Sequence, residues 1–164
     1  MDNFTDIAYQ LDSYLEEFSR ENLEKVAAEL SLAPFNQEYC DSLDKRERRL
    51  LLLPPQAEAK WFRTVKLGNK RVGIVGAPYQ TGRYWAQIII DPDYRGKRYA
   101  GKAEELLANE LSIKKMHAMI AKWNSASIKA HLRLGYKPVA PRELTAHYEY
   151  GLLPKYMLLY EKEF

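Results

Sequence analysis

The amino-acid sequence predicts a mixed α/β fold. Three observations carry that reading: apolar residues recur at helical spacing near the start, hairpin and strand signals fill the middle, and strand-to-helix passages then alternate up to a last strand. The resulting order of helices, hairpin, strand, helix, strand, helix, strand interleaves α and β segments instead of separating them.

Taken in order, Ile7, Leu11, Leu15 and Phe18, with Tyr14 alongside, share one helical face, while Asp12, Glu16 and Glu17 fall between them. Leu23, Val26, Ala27 and Leu30 continue the period, so a second or bent helix follows. Residues 31–44 carry Pro34, Asn36 and Asp41 and read as irregular, with no clear opening strand. A basic run at 45–49 precedes four leucines that end at Pro54 and Pro55, because proline lacks a backbone donor and fixes its own φ. Whether the leucines form helix or strand is open. Residues 61–66 and 71–75 flank a Leu67-Gly68-Asn69-Lys70 hairpin signal, and 78–82 read as a turn. Residues 84–90 are aromatic and β-branched and predict one buried strand ending at Asp91-Pro92-Asp93. Ala103, Leu106, Leu107 and Leu111 mark a helix; 116–120 is a short strand. Residues 125–134 form a helix, with serines placed to cap its start and Gly135 to stop it. Residues 156–160 give the last strand, and no repeat or low-complexity segment interrupts this order.

The chain has 164 residues, 46% of them apolar and 29% charged, which excludes a disordered chain and fits one domain spanning 1–164. One cysteine, Cys40, excludes an internal disulfide framework. No run approaches the roughly 18 apolar residues of a membrane span. The acidic start lacks the basic, apolar pattern of a secretion signal, so a cytoplasmic location and no membrane partner are expected. The net charge of +3 hides a split: residues 1–44 sum to −9 and residues 45–164 to +12. A polyanion partner, such as nucleic acid or cofactor phosphates, and an acidic segment folded back on a basic body both fit that split.

The stretch from Ile88, Ile89 and Ile90 through Arg95, Gly96, Lys97, Arg98, Tyr99, Ala100, Gly101 and Lys102 carries chemistry. A strand enters a glycine-bearing turn with four cations and passes directly into a helix. The first N–H groups of a helix have no internal partner, and its dipole favours negative charge there. A glycine lets a diphosphate come close to those groups. A basic connecting turn is the plainer alternative, but the order strand, turn, cations, helix favours phosphate binding.

These residues resemble the cofactor motif of the GNAT superfamily, the GCN-type N-acetyltransferases. Ile90, Pro92, Tyr94, Arg95, Gly96 and Ala100 match that motif, and Arg98 stands where the family has glycine. Asn124, Ser127, Gly135 and Tyr136 resemble the family's second motif. The resemblance covers roughly residues 58–164; residues 1–57 diverge as an acidic, helical part. It implies a mixed, mostly antiparallel central sheet with helices on both faces and a splayed pair of parallel strands.

By the same resemblance, the expected activity is acetyl transfer from acetyl-CoA, as co-substrate, to an amine of a small molecule or protein. The acidic N-terminal part would suit a cationic acceptor. Residues 88–90 would offer backbone groups to the thioester and pantetheine arm, residues 95–102 would hold the diphosphate, and Asn124 and Ser127 would complete the cofactor site. His131 occupies the place of a tyrosine that protonates the leaving thiolate in many members; a partly buried structural histidine between Ile128 and Leu132 fits equally well. Where members carry a glutamate base, this chain has Gln87, which takes no proton at neutral pH. His117, His147 and Glu149 are the other base candidates; His117 sits in an alternating strand where a structural role is common. Tyr148, Tyr150, Tyr156 and Tyr160 either line an acceptor cleft or pack as strand residues. Three histidines and one cysteine show no metal-ligand spacing, so no metal is expected. A CoA-binding relative without catalysis, a longer-chain acyltransferase and a nucleic-acid-binding module remain alternatives, although no RNA-binding aromatic motif supports the last. Many members of the family dimerise, which leaves a homodimer open.

Overall fold

A computed structural model describes residues 29–47 and 59–164. The helices expected at 7–18 and 23–30 and the leucine run at 50–53 lie outside these residues except at the end of the second helix, where Leu30 contradicts the expectation. Leu30 itself opens a strand, β1 (Leu30–Pro34), followed by helix α1 (Gln37–Glu47). Both replace the irregular stretch expected at 31–44. The reason is local and non-local at once. Asn36 Oδ1 accepts the Tyr39 N–H (2.8 Å), the geometry of a helix N-cap. The buried Thr64 hydroxyl donates to the Pro34 carbonyl (3.1 Å) and accepts the Asn36 N–H (3.2 Å), tying the end of β1 to a strand about thirty residues later.

The hairpin forms as expected from β2 (Phe62–Leu67) and β3 (Lys70–Gly76), with Gly68 at φ +59° in its turn. A second, tight hairpin joins β4 (Tyr79–Gln80) to β5 (Arg83–Trp85), so the expected turn at 78–82 includes a short strand. The strand expected at 84–90 is broken at Ala86, and β6 (Gln87–Ile90) belongs to another sheet. Then come α2 (Tyr99–Leu111), β7 (Lys115–Ala121), α3 (Ser125–Arg133), the short β8 (Lys137–Pro138), an unexpected helix α4 (Pro141–Glu149) and β9 (Met157–Glu163).

One sheet has the order β1-β2-β3-β6 and the other β4-β5-β7-β9-β8. Every pairing is antiparallel except that of β5 with β7. Side chains alternate across the sheets. Val72, Ile90, Met116, Ala118, Ile120 and Tyr160 share a core with α2 residues Tyr99, Ala103 and Leu107, against which Ile128 and Leu134 of the α3 region pack. On the opposite face, Phe62, Ile74 and Ile89 pack against Cys40 and Leu43 of α1. Leu159 and Trp85 meet Leu144 and Tyr148 of α4 on that same face. Helices thus cover both faces. Burial of a side chain such as Phe62, with no exposed surface, contributes roughly 1.5–3 kcal/mol. Gly76 leaves room for that ring, since a Cβ there would collide with Phe62 Cδ1 and Cε1.

Candidate functional site

The site begins where the two sheets part. Tyr84 and Trp85 pair in parallel with Met116 and His117, and the Ala86 N–H donates to the His117 carbonyl (2.8 Å). Beyond Ala86 the chain crosses to β3, pairing Gln87 with Gly76 and Ile90 with Gly73. A strand turns alternate backbone groups to opposite edges. Asp91 N–H donates to Val72 O (2.8 Å), so residues 87, 89 and 91 turn their backbone groups to β3. Ile88 and Ile90 therefore face the gap between β6 and β7. The Ile90 carbonyl is taken by Arg95 Nε (3.1 Å), which leaves Ile88 the strand's principal backbone contributor there. Ile89 points its backbone away from the gap and buries its side chain on the α1 face.

The strand ends because Asp91 Oδ1 accepts the Asp93 N–H (3.0 Å) and closes a one-turn 3-10 helix over Pro92–Tyr94. Arg95, Gly96, Lys97 and Arg98 follow on the surface. Gly96 (φ +75°) and Arg98 (φ +63°) both adopt the left-handed region, and α2 starts directly after Arg98. The Arg98 side chain does not cap this helix start and no acid lies in its first turn. The Tyr99 side chain is buried in the core, so at this position only the backbone faces the turn. Lys102 pairs with Glu105 (3.5 Å) and Lys97 Nζ lies 5.7 Å from the Tyr94 ring centre. A Cβ on Gly101 would sit 3.1 Å from Leu134 Cδ2. That close approach brings the first turn of α2 against the end of α3, and joins the two motifs in space.

Asn124, not a serine, caps α3: its Oδ1 accepts the Ser127 N–H (3.1 Å). Gly135 ends the helical segment at φ +95°, as expected. Ser127 and His131 lie one turn apart, with His131 Nδ1 2.7 Å from the Ser127 carbonyl and 3.3 Å from its hydroxyl. A carbonyl only accepts, so Nδ1 carries the proton and Nε2 holds the lone pair of the neutral ring. Burial pushes the imidazole below its ordinary pKa, against the opposing pull of the Ser127 carbonyl.

The face under α4 carries a second polar group. Arg83 bonds Glu143 (2.5 Å) and also contacts His147 Nε2, while His147 Nδ1 lies 2.7 Å from the Glu143 carbonyl. His117 Nε2 is 3.5 Å from Glu161, which also pairs with Lys115 (3.6 Å). Burial, reinforced by Arg83, lowers the His117 pKa. Ligand atoms of His117, Glu143 and Glu161 lie within 4.8 Å of one another, but Arg83 and Lys115 already balance the two carboxylates, so the group reads as an ion-pair network. Gln87 Oε1 and His117 Nδ1 are buried with no hydrogen-bond partner among the described residues. His147 and Glu149 lie on α4 itself, not in a connection, with His147 buried and Glu149 exposed. Of the four tyrosines near the end only Tyr160 is a strand residue; Tyr148 is on α4, donating to the Met157 carbonyl (2.5 Å), and Tyr150 and Tyr156 lie in exposed connections.

Glu104 escapes a reading based on charge. It sits on the apolar face of α2 and is 2% exposed. The Tyr136 hydroxyl donates to its Oε2, while Oε1 has no partner among the described residues. Burial raises its carboxyl to about 7 against the lowering pull of Tyr136 and Lys162. The one sequence signal is its position three and four residues before Leu107 and Ala108, where an apolar residue belongs.

Solved structures share this architecture. An acetyltransferase from Agrobacterium tumefaciens str. C58 superposes with a TM-score of 0.58 at 15% identity, covering 83% of this chain and 91% of that one. The ribosomal-protein-S18-alanine N-acetyltransferase of Escherichia coli gives 0.54 at 13% identity, covering 82% and 93%. Arabidopsis thaliana Naa50, in complex with the bisubstrate analogue CoA-Ac-MVNAL, gives 0.53 at 12% identity, covering 83% and 99%. At these identities the likeness is one of fold. No curated protein matches the chain significantly. The model of the acetyltransferase (GNAT) family matches residues 13–136, which contain the parted strands, the left-handed turn and the capped α3. On that match the chain belongs to the GNAT acetyltransferase family.

Proposed function

We propose that the protein is an N-acetyltransferase that moves the acetyl group of acetyl-CoA to an amine of a small molecule or a protein. One observation carries the reading: a left-handed, cationic turn joins a strand edge turned into an open gap to a helix start that the Arg98 side chain does not cap. Backbone N–H groups at such a start bind phosphate oxygens, and the helix dipole adds to the attraction. Among the described residues nothing lies within 4 Å of a Cβ built on Gly96, which leaves room for a ligand beside the turn. Arg95, Gly96, Lys97, Arg98 and the backbone of Tyr99, Ala100, Gly101 and Lys102 would hold the diphosphate. Ile88, supported by Ile89 and Ile90, would line the pantetheine path, with Asn124 and Ser127 on its other side.

Acetyl-CoA supplies a thioester carbonyl that an uncharged amine attacks; the C–N bond forms, the nitrogen gives up one proton to water, the C–S bond breaks, and the thiolate takes a proton in exchange. The Ile88 N–H faces the gap where the carbonyl oxygen gains negative charge, the role of an oxyanion donor. His131 would give the proton to the thiolate, from Nε2 of its imidazolium form. The polar face under α4 adjoins the same gap through Trp85 and His117 and would receive the acceptor.

Calorimetry of CoA binding tests this reading. The wild type should bind, and Gly96→Asp, which puts a carboxylate into the turn, should lose at least tenfold in affinity while its far-UV spectrum stays unchanged. A wild type that fails to bind millimolar CoA overturns the reading.

A further inference from the structure

We infer that His117 is the general base of the transfer: Nδ1 of its ring receives, through one water, the proton that the attacking amine gives up, and Glu161 is the positioning residue behind it. The inference rests on the acetyl-transfer reading above and names the group that reading leaves open. His117 lies where the sheets part. Its carbonyl accepts the Ala86 N–H (2.8 Å) at the point where the chain leaves β7 for β3, so it borders the gap that Ile88 faces. Its side chain is 5% exposed and stands on the α4 face. The ring centre is 5.9 Å from that of Trp85, which packs against Leu144 and Tyr148.

The two ring nitrogens are unlike. Nε2 lies 3.5 Å from Glu161, whereas Nδ1 is buried with no hydrogen-bond partner among the described residues. A carboxylate beside one ring nitrogen draws the proton there and leaves the lone pair on the other. A place in the ion-pair network therefore accounts for Nε2 and not for Nδ1. A buried acceptor without a donor is costly, and is accounted for when a ligand or a water brings the donor. On the other side of the gap Gln87 repeats the pattern: its Oε1 is also a buried acceptor with no partner among the described residues. Alternation along β6 turns the Gln87 side chain to the same face as Ile89, the face that α1 and α4 cover. Two orphan acceptors thus border one gap, and an amine with a water beside it carries the N–H and O–H donors they lack.

The proton balance closes on these residues. The new C–N bond makes the nitrogen acidic, so a weak base suffices. One N–H proton passes to the water, the water passes one to Nδ1, and the imidazolium forms beside Glu161 before releasing its proton to solvent. Gln87 Oε1 accepts a second N–H and orients the nitrogen. The charged groups facing the ring are Arg83 from β5, Lys115 from β7, Glu143 from α4 and Glu161 from β9. Burial and Arg83 hold the imidazole below its ordinary pKa of 6.5, against the pull of Glu161 and Glu143, so the ring is neutral and ready to accept at neutral pH.

Two measurements on the full chain test the assignment. Nitrogen NMR of the imidazole should find the proton of the neutral His117 ring on Nε2, and Glu161→Gln should lower the His117 pKa. Release of CoA thiol from acetyl-CoA, with a panel of aliphatic amines and peptide N-termini, reads turnover. His117→Gln should lose about a hundredfold in kcat at pH 7 with CoA affinity unchanged, and the loss should narrow as pH rises and solvent replaces the base. Glu161→Gln should lose a smaller factor. A neutral ring protonated on Nδ1, which the wild type alone reveals, overturns the base, and so does His117→Gln turning over like the wild type; in both cases acetyl transfer stands. A wild type that binds CoA yet releases no thiol with any amine of the panel overturns both readings.

Discussion

A carboxyl group set among Ala103, Leu107 and Ala108 must find donors or keep its proton. Glu104 has one donor among the described residues, the Tyr136 hydroxyl, and burial raises its pKa to about 7. The unfolded chain titrates this group near its ordinary value of 4.5, so between about 4.5 and 7 the folded state binds more protons. Stability therefore falls as pH rises through that window, by up to about 3 kcal/mol from this group. Glu104→Gln should abolish that part of the slope: similar to the wild type at pH 5 in chemical denaturation, and more stable at pH 8. An unchanged difference between the two at both pH values would show that the carboxyl is not titrating there. His131 shifts the other way, with its neutral form favoured by burial. His131→Ala should lower the turnover number several-fold with little change in acetyl-CoA affinity. On the reading in which the imidazolium would be the donor, the His131-dependent share of turnover should shrink as pH rises. Equal turnover in variant and wild type would remove the role. Neither pKa was legible in the sequence, since burial depends on which residues far along the chain cover the group. Position alone marked His131, through its match to the second motif.

Among the elements, α3 separates a structural from a binding role for one residue. Asn124 caps the helix, and loss of such a cap costs about 1 kcal/mol. Asn124→Ala should lower stability by that amount, and Asn124→Asp, which keeps an acceptor oxygen, should restore it. If CoA affinity recovers with stability, the cap positions the site; if it stays low in Asn124→Asp, the amide itself contacts the cofactor. Elements with local signals were legible. The β2–β3 hairpin follows from its Gly68-Asn69 turn, α2 from its apolar spacing, and the end of α3 from Gly135. α1 and α4 had weaker signals that can be recognised in retrospect: the Asn36 cap and Pro141 in the first helical turn, where proline costs no hydrogen bond. β1 had none, because Leu30–Pro34 becomes a strand only by pairing with Phe62–Leu67.

Across the whole molecule, the sequence by itself determined the α/β class, the order of strand, cationic turn and helix, and the family to which these belong. Those properties live in side-chain periodicity and turn chemistry over a few residues, which the chain carries wherever it folds. Tertiary structure alone decided that residues 84–90 serve two sheets. Ala86 hands the strand from His117 to β3, and pairing choices of that kind depend on hydrogen-bond partners thirty residues away or beside Gly73, where a Cβ would collide with the Ile89 carbonyl. The gap that Ile88 faces exists only because of that divergence. It likewise took the folded chain to put Arg98 in the left-handed region and to bring His117, Glu143 and Glu161 together. Backbone strain and charge convergence are properties of distance in space, and no spacing along the chain encodes them directly.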